Sequence, residues 1–150
     1  MPVTTNREET EYALPEDTLF PGILASVSTR TINYNDKKTG EAKSFDKWEW
    51  VFEISEGEYS GLNGYGETES YMSTRDDNKV RQWAETLRDM PFEIGDGLDT
   101  DELVGLPCMF TVLHEEPRPK KDGSGMWYSC KVKDLFPEGT TQKQADEPPF

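Results

Sequence analysis

The clearest pattern in the chain is the segment 45–54, FDKWEWVFEI. It places Trp48, Trp50, Phe52 and Ile54 on one side and Lys47, Glu49 and Glu53 on the other. That period of two is the signature of a half-buried strand. Before it, residues 23–34 follow Pro21-Gly22 and are rich in β-branched side chains, which predicts a long first strand. After a Gly-containing turn at 55–61, residues 62–73 alternate Tyr65, Glu67, Glu69 and Tyr71 with smaller residues and predict a third strand. The spacing then changes. From Asn78 onward Val80, Trp83, Ala84 and Leu87 share one helical face, behind the capping candidates Ser73, Thr74, Asp76 and Asp77, and Pro91 stops the helix. An acidic stretch with a short helical turn at 101–104 leads to two more strands, 108–115 and 126–136, joined by the Pro/Gly/Lys loop EEPRPKKDGSG.

The resulting class is mainly β: five strands with one helix between the third and fourth. This is the order of the OB-fold, a small partly open barrel that binds oligonucleotides on its strand-two/three face and between loops 1–2 and 4–5. Residues 20–136 would form that body. Residues 1–19 are polar and acidic without a period and predict a loosely held N-terminal arm. After Pro137 the hydrophobic period is lost again, so 137–150 predicts a flexible, disordered acidic tail.

At 150 residues a domain buries roughly 68–70 % of the surface of its open chain, so the core needs neither disulfide nor metal. No apolar run approaches the ~18 residues of a membrane span, and the polar N-terminus lacks a signal-peptide core. A cytoplasmic protein without membrane association is expected, in the host cytoplasm if the chain is phage-encoded. Two cysteines, Cys108 and Cys130, and the single His114 fall one ligand short of a Cys/His zinc site. The cysteines lie near register in the proposed last hairpin and could pair, although two buried thiols are the default in a reducing compartment. No nucleophile elbow, phosphate loop or metalloprotease motif occurs, so neither an enzyme nor a cofactor is expected.

Net charge is −14, which opposes binding to nucleic acid by bulk charge. The distribution changes the picture. Residues 89–117 carry eight acids and no Lys or Arg, whereas 117–133 holds five cations against Asp122 alone. The two loops that an OB-fold uses as clamps carry Lys37, Lys38 and Lys43, and Arg118, Lys120 and Lys121. In the last strand, alternation groups Trp127 with Ser129, Lys131 and Lys133, opposite Tyr128, Cys130 and Val132. An indole beside ammonium groups suits a single strand, because any base stacks on the ring while the lysines meet phosphates. The competing reading is a solvated face with one ring packed on lysine stems.

Strand one offers Arg30 and Tyr34 on a common side with Ser26 and Ser28, Lys47 lies on the polar side of strand two, and strand three offers Tyr65 and Tyr71. Glu67 and Glu69 stand between those tyrosines and would repel a phosphate, so cross-strand aromatic packing competes with base stacking there. Trp48, Trp50, Phe52 and the helix face with Trp83 belong to the core.

The chain ends Asp146-Glu147-Pro148-Pro149-Phe150. This ending resembles the acidic tip of bacterial and phage single-stranded DNA-binding proteins, in which a few acids precede a Pro-Phe terminus. The body is similar to small phage-encoded OB-type members, through Phe20-Pro-Gly22, WEWVFEI at 48–54, the helix with Val80, Trp83 and Leu87, and Asp101-Glu-Leu-Val-Gly105. The resemblance implies a non-enzymatic protein that coats single-stranded DNA without sequence preference during replication, recombination or repair. It also implies a tip that docks on enzymes of those processes, with Phe150 as anchor, Asp146 and Glu147 as steering charges, and Pro148 and Pro149 limiting the entropy lost. Homo-oligomerisation is left open. A tail of this length spans roughly 5–6 Å × √n, enough for the tip to compete for its own groove. Two rivals remain: an acidic DNA mimic or interaction module that inhibits a nucleic-acid enzyme, favoured by the net charge, and a virion β-barrel.

Overall fold

The computed structural model describes residues 12–93 and 95–146. It is mainly β. Strands β1 (Phe20–Asn35), β2 (Ala42–Ile54) and β3 (Asn63–Glu69) are followed by helix α1 (Lys79–Arg88), a 3-10 turn at Thr100–Glu102 and strand β4 (Pro107–His114). The short strands β5 (Arg118–Pro119) and β6 (Met126–Trp127) precede β7 (Cys130–Phe136), and a single helical turn, α2, spans Gln142–Asp146. Five strands form one mixed sheet in the order β1-β2-β3-β7-β4, and β4 pairs back onto the start of β1, Phe20 opposite Phe110. All contacts in it are antiparallel except β3–β7, where Tyr65 pairs with Lys131.

The interior side of the sheet is the one the alternation marks: Leu24, Trp50, Phe52 and Ile54 are buried, with Trp48 partly so. They meet Phe110, Val112 and Val132 from β4 and β7, while α1 contributes Val80, Trp83, Ala84 and Leu87. Trp83 packs edge-on to both Trp50 and Phe52, at 5.4 and 5.5 Å between centroids. This density requires the sheet backbone to approach the rings. A Cβ on Gly22 would fall 2.7 Å from Phe110 Cε1. The Trp50 indole N–H is satisfied inside the core by Thr68 Oγ1 at 2.8 Å.

Several boundaries differ from the sequence reading. The helix is capped by Asn78, whose Oδ1 accepts from the Arg81 N–H at 2.8 Å, and not by Ser73, Thr74, Asp76 or Asp77. Those residues form a turn whose carbonyls are used instead: Arg81 donates to Thr74 O and Gln82 to Asp76 O. β3 ends at Glu69, so Tyr71 lies beyond the strand. The expected strand 126–136 is broken at 128–129, because its first residues pair with Arg118 and Pro119 in a separate ribbon while the rest pairs with β4 and β3. A chain that changes partners must bend, and the bend cancels the simple alternation across Trp127 and Tyr128.

Residues 12–19, grouped by sequence with the N-terminal arm, pack on the body. Leu14 is buried, Tyr12 donates to the Glu115 carbonyl and its ring stacks on His114 at 4.0 Å. At the other end Gln142 accepts from the Leu19 N–H at 2.8 Å. Cys108 and Cys130 are buried free thiols, and they stand at opposite ends of the β4–β7 ladder. Among the described residues no helix is long and apolar enough to cross a membrane.

Candidate nucleic-acid interface

The outer face of the sheet follows from the register. Across β1, β2 and β3 the rows are Ser28, Glu49 and Glu67, then Arg30, Lys47 and Glu69. One row in the other direction Val51 lies opposite Tyr65, which in turn meets Lys131 of β7. The β5–β6 ribbon rises beside this face and brings in Arg118 and Trp127, which are directly paired. Together they line an open groove of about 590 Å³, with Arg30, Tyr65, Glu67 and Lys131 contributed by the sheet and Arg118 and Trp127 by the ribbon.

Its aromatic surfaces are accessible. Trp127 is 59 % exposed and Tyr65 50 %. Lys120 Nζ sits 4.8 Å from the centroid of the Trp127 ring, a cation–π contact on one face of the indole. Thus the packing of the ring on a lysine and its exposure to the groove occur together. The cations are tempered by acids: Arg30 contacts Glu67 at 3.0 Å and Glu49 at 3.7 Å, Lys47 contacts Glu67 at 3.3 Å, and Arg118 lies 3.9 Å from Glu115.

Of the residues expected from sequence, Arg30, Tyr65, Arg118, Trp127 and Lys131 come together in this groove. Lys47 adjoins it through Glu67, and Lys120 through the Trp127 ring. Lys121 is exposed in the turn of the ribbon, and Lys133 is exposed two residues beyond Lys131. Tyr34 and Lys43 line a separate concavity at the far end of the β1–β2 hairpin, four residues and about 13 Å along the strand from Arg30. Lys37 and Lys38 occupy the turn there. Asp36 in that turn has its carboxyl held below the usual range by the Lys38 N–H and by Lys43, its ion-pair partner at 3.1 Å. Tyr71 is exposed but lines neither concavity. In the tail, Asp146 ends α2, and Glu147, Pro148, Pro149 and Phe150 lie outside the described residues.

Three residues near this face escaped the sequence reading. Tyr128, which alternation groups with Cys130, lines the groove together with Cys130 and meets Tyr12 edge-on at 5.3 Å. Phe45 is exposed and packs on Tyr34 at 5.8 Å. The available signal was an aromatic residue on the polar side of FDKWEWVFEI. Lys79 opens α1, where a cation opposes the helix dipole. Its ammonium lies 5.0 Å from the Trp83 ring, and burial, then the charge of Lys131, lowers its pKa.

Comparison with protein-family models, curated proteins and solved structures finds no match to this chain.

Proposed function

We propose that this protein is a non-enzymatic binder of single-stranded DNA, acting without sequence preference through the groove between the sheet and the β5–β6 ribbon. The observation that carries the reading is the exposed Trp127 ring facing that groove opposite Tyr65, with Arg30, Arg118 and Lys131 around it. Two rings with open faces offer stacking to any base, worth about 1–3 kcal/mol per base, and the interspersed cations answer the phosphates. Strand order and the return of β4 to β1 fit an OB-type barrel, and a groove against the β2–β3 face fits that fold's habit of binding. The net charge of −14 keeps the affinity moderate and strongly salt-dependent. The acidic Pro-Phe terminus would recruit enzymes of replication, recombination or repair. An acidic DNA mimic is the weaker reading, because its concave face would gain nothing from Arg30, Arg118 and Lys131.

The test is a titration of intrinsic tryptophan fluorescence with oligo(dT) at low and high salt. Quenching that fades as salt rises supports the reading. Unchanged fluorescence together with no oligonucleotide retention at low salt overturns it.

A further inference from the structure

The geometry points to Glu67 as a built-in competitor for phosphate, one that occupies the groove's cations until a strand displaces it; this inference rests on the proposed binding of single-stranded DNA. The two oxygens of its carboxylate are divided between two cations. Oε2 lies 3.0 Å from Arg30 Nη1 and Oε1 lies 3.3 Å from Lys47 Nζ. A phosphodiester presents two non-bridging oxygens in the same way, so the carboxylate stands where a backbone phosphate would be held.

The register gives an independent reason to single out this cluster. Arg30 is directly opposite Lys47 across β1 and β2, and Glu49 is directly opposite Glu67 across β2 and β3. Like charges in directly opposed positions destabilise a sheet, and a sequence serving stability alone would place Lys against Glu there. Lys47 does face Glu69 directly across β2 and β3, yet the ion pairs formed in this cluster run off register: Arg30 with Glu49 and Glu67, and Lys47 with Glu67. Such a square leaves both cations side by side on adjacent strands, where one anionic group can meet both.

The pairs are also exchangeable. The Arg30, Lys47 and Glu67 side chains are between one third and one half exposed. Ion pairs this wet add little to stability, so opening them leaves the fold intact. Tyr65 lies two residues from Glu67 on the same side of β3, which places a stacking ring beside the exchanged charge. The carboxylate thereby limits weak binding of stray anions and of short strands, since each must displace it.

The experiment compares wild type, Glu67→Gln and the charge-matched control Glu102→Gln, which lies in the 3-10 turn away from the groove. Each is titrated with oligo(dT) across a salt series, with thermal unfolding run in parallel. Glu67→Gln should bind about three- to tenfold more tightly than the control at about 50 mM salt, and its log K against log salt slope should steepen by roughly 0.7–1.4 as one or two further phosphates are engaged. Arg30→Gln should then cost more affinity in the Glu67→Gln background than in wild type. Equal affinity and slope for Glu67→Gln and the control overturn the inference while wild-type binding upholds the function. Binding by Glu67→Gln with none by wild type supports the competitor and overturns the function of the native chain. Silence from both overturns both. If Glu67→Gln does not fold, Glu67→Asp, which withdraws the carboxylate by one methylene, is read by the same criteria.

Discussion

Gly66 in β3 adjoins the six-membered ring of Trp83 in α1, so closely that a Cβ there would stand 2.7 Å from Cζ3. The contact joins the helix to the sheet directly beneath the outer face that carries Tyr65 and Glu67. Gly66→Ala is expected to destabilise the fold by about 1–3 kcal/mol through overpacking, because the indole is held edge-on by both Trp50 and Phe52 and has nowhere to retreat. Chemical denaturation checks this, and an unchanged midpoint would show that the helix shifts freely over the sheet.

Two buried threonines make opposite predictions for one chemical change. Thr68 Oγ1 accepts from the Trp50 indole and donates to the Glu69 carbonyl, both at 2.8 Å. Thr68→Val leaves that N–H unpaired in the core and should cost about 1–3 kcal/mol. Thr111 sits at the register shift between β4 and β7, and its buried hydroxyl has no hydrogen-bond partner among the described residues. Thr111→Val should therefore stabilise the fold, by roughly 1 kcal/mol. Urea midpoints of the two variants moving in the same direction would refute the contrast.

Of the four tryptophans, only Trp127 is strongly exposed; Trp50 and Trp83 are buried and Trp48 partly so. If the groove binds single strands, Trp127→Ala should weaken oligo(dT) binding by roughly 5- to 100-fold, in keeping with the loss of one stacking platform. Quenching should vanish with it, while thermal stability changes little. Retention of full quenching in this variant would place the responding indole elsewhere.

Burial pushes the Cys108 thiol up to about 12 and raises that of Cys130 as well. In the unfolded chain these thiols ionise near pH ~8.5–9, so between that value and the folded one the unfolded state has lost protons that the native state keeps. Their contribution is whole below pH ~8.5 and declines as pH rises toward 12. Urea midpoints should accordingly fall from pH 8 to about pH 10, less steeply in Cys108→Ala than in wild type. At pH 8 neither thiol should react with a disulfide reagent until denaturant is added. Rapid labelling of the native protein would contradict their burial.

The inner residues of β2 and its end at Ile54 were legible because alternation is a local property: Trp50, Phe52 and Ile54 point inward whatever lies across from them, although the strand begins at Ala42, three residues before the pattern does. The helix face of Val80, Trp83, Ala84 and Leu87 was legible for the same reason, as were the cations and the ring of Trp127. The break at 128–129 was not, since nothing in 126–136 announces that its first two residues pair with Arg118 and Pro119. Nor was the separation of Lys37 and Lys38 from the groove, which depends on how far a two-stranded hairpin extends beyond its neighbours in the sheet. Leu14 likewise reads as part of a polar arm until the hydrophobic gap it fills exists. Which residues face inward and which bear charge can be read locally, because side-chain period and chemistry are written residue by residue. That Tyr65, Arg118 and Trp127 share one groove and that Glu67 holds both Arg30 and Lys47 emerges from the folded arrangement alone, because strand register and the bend of a chain changing partners are set by packing between segments far apart in the sequence.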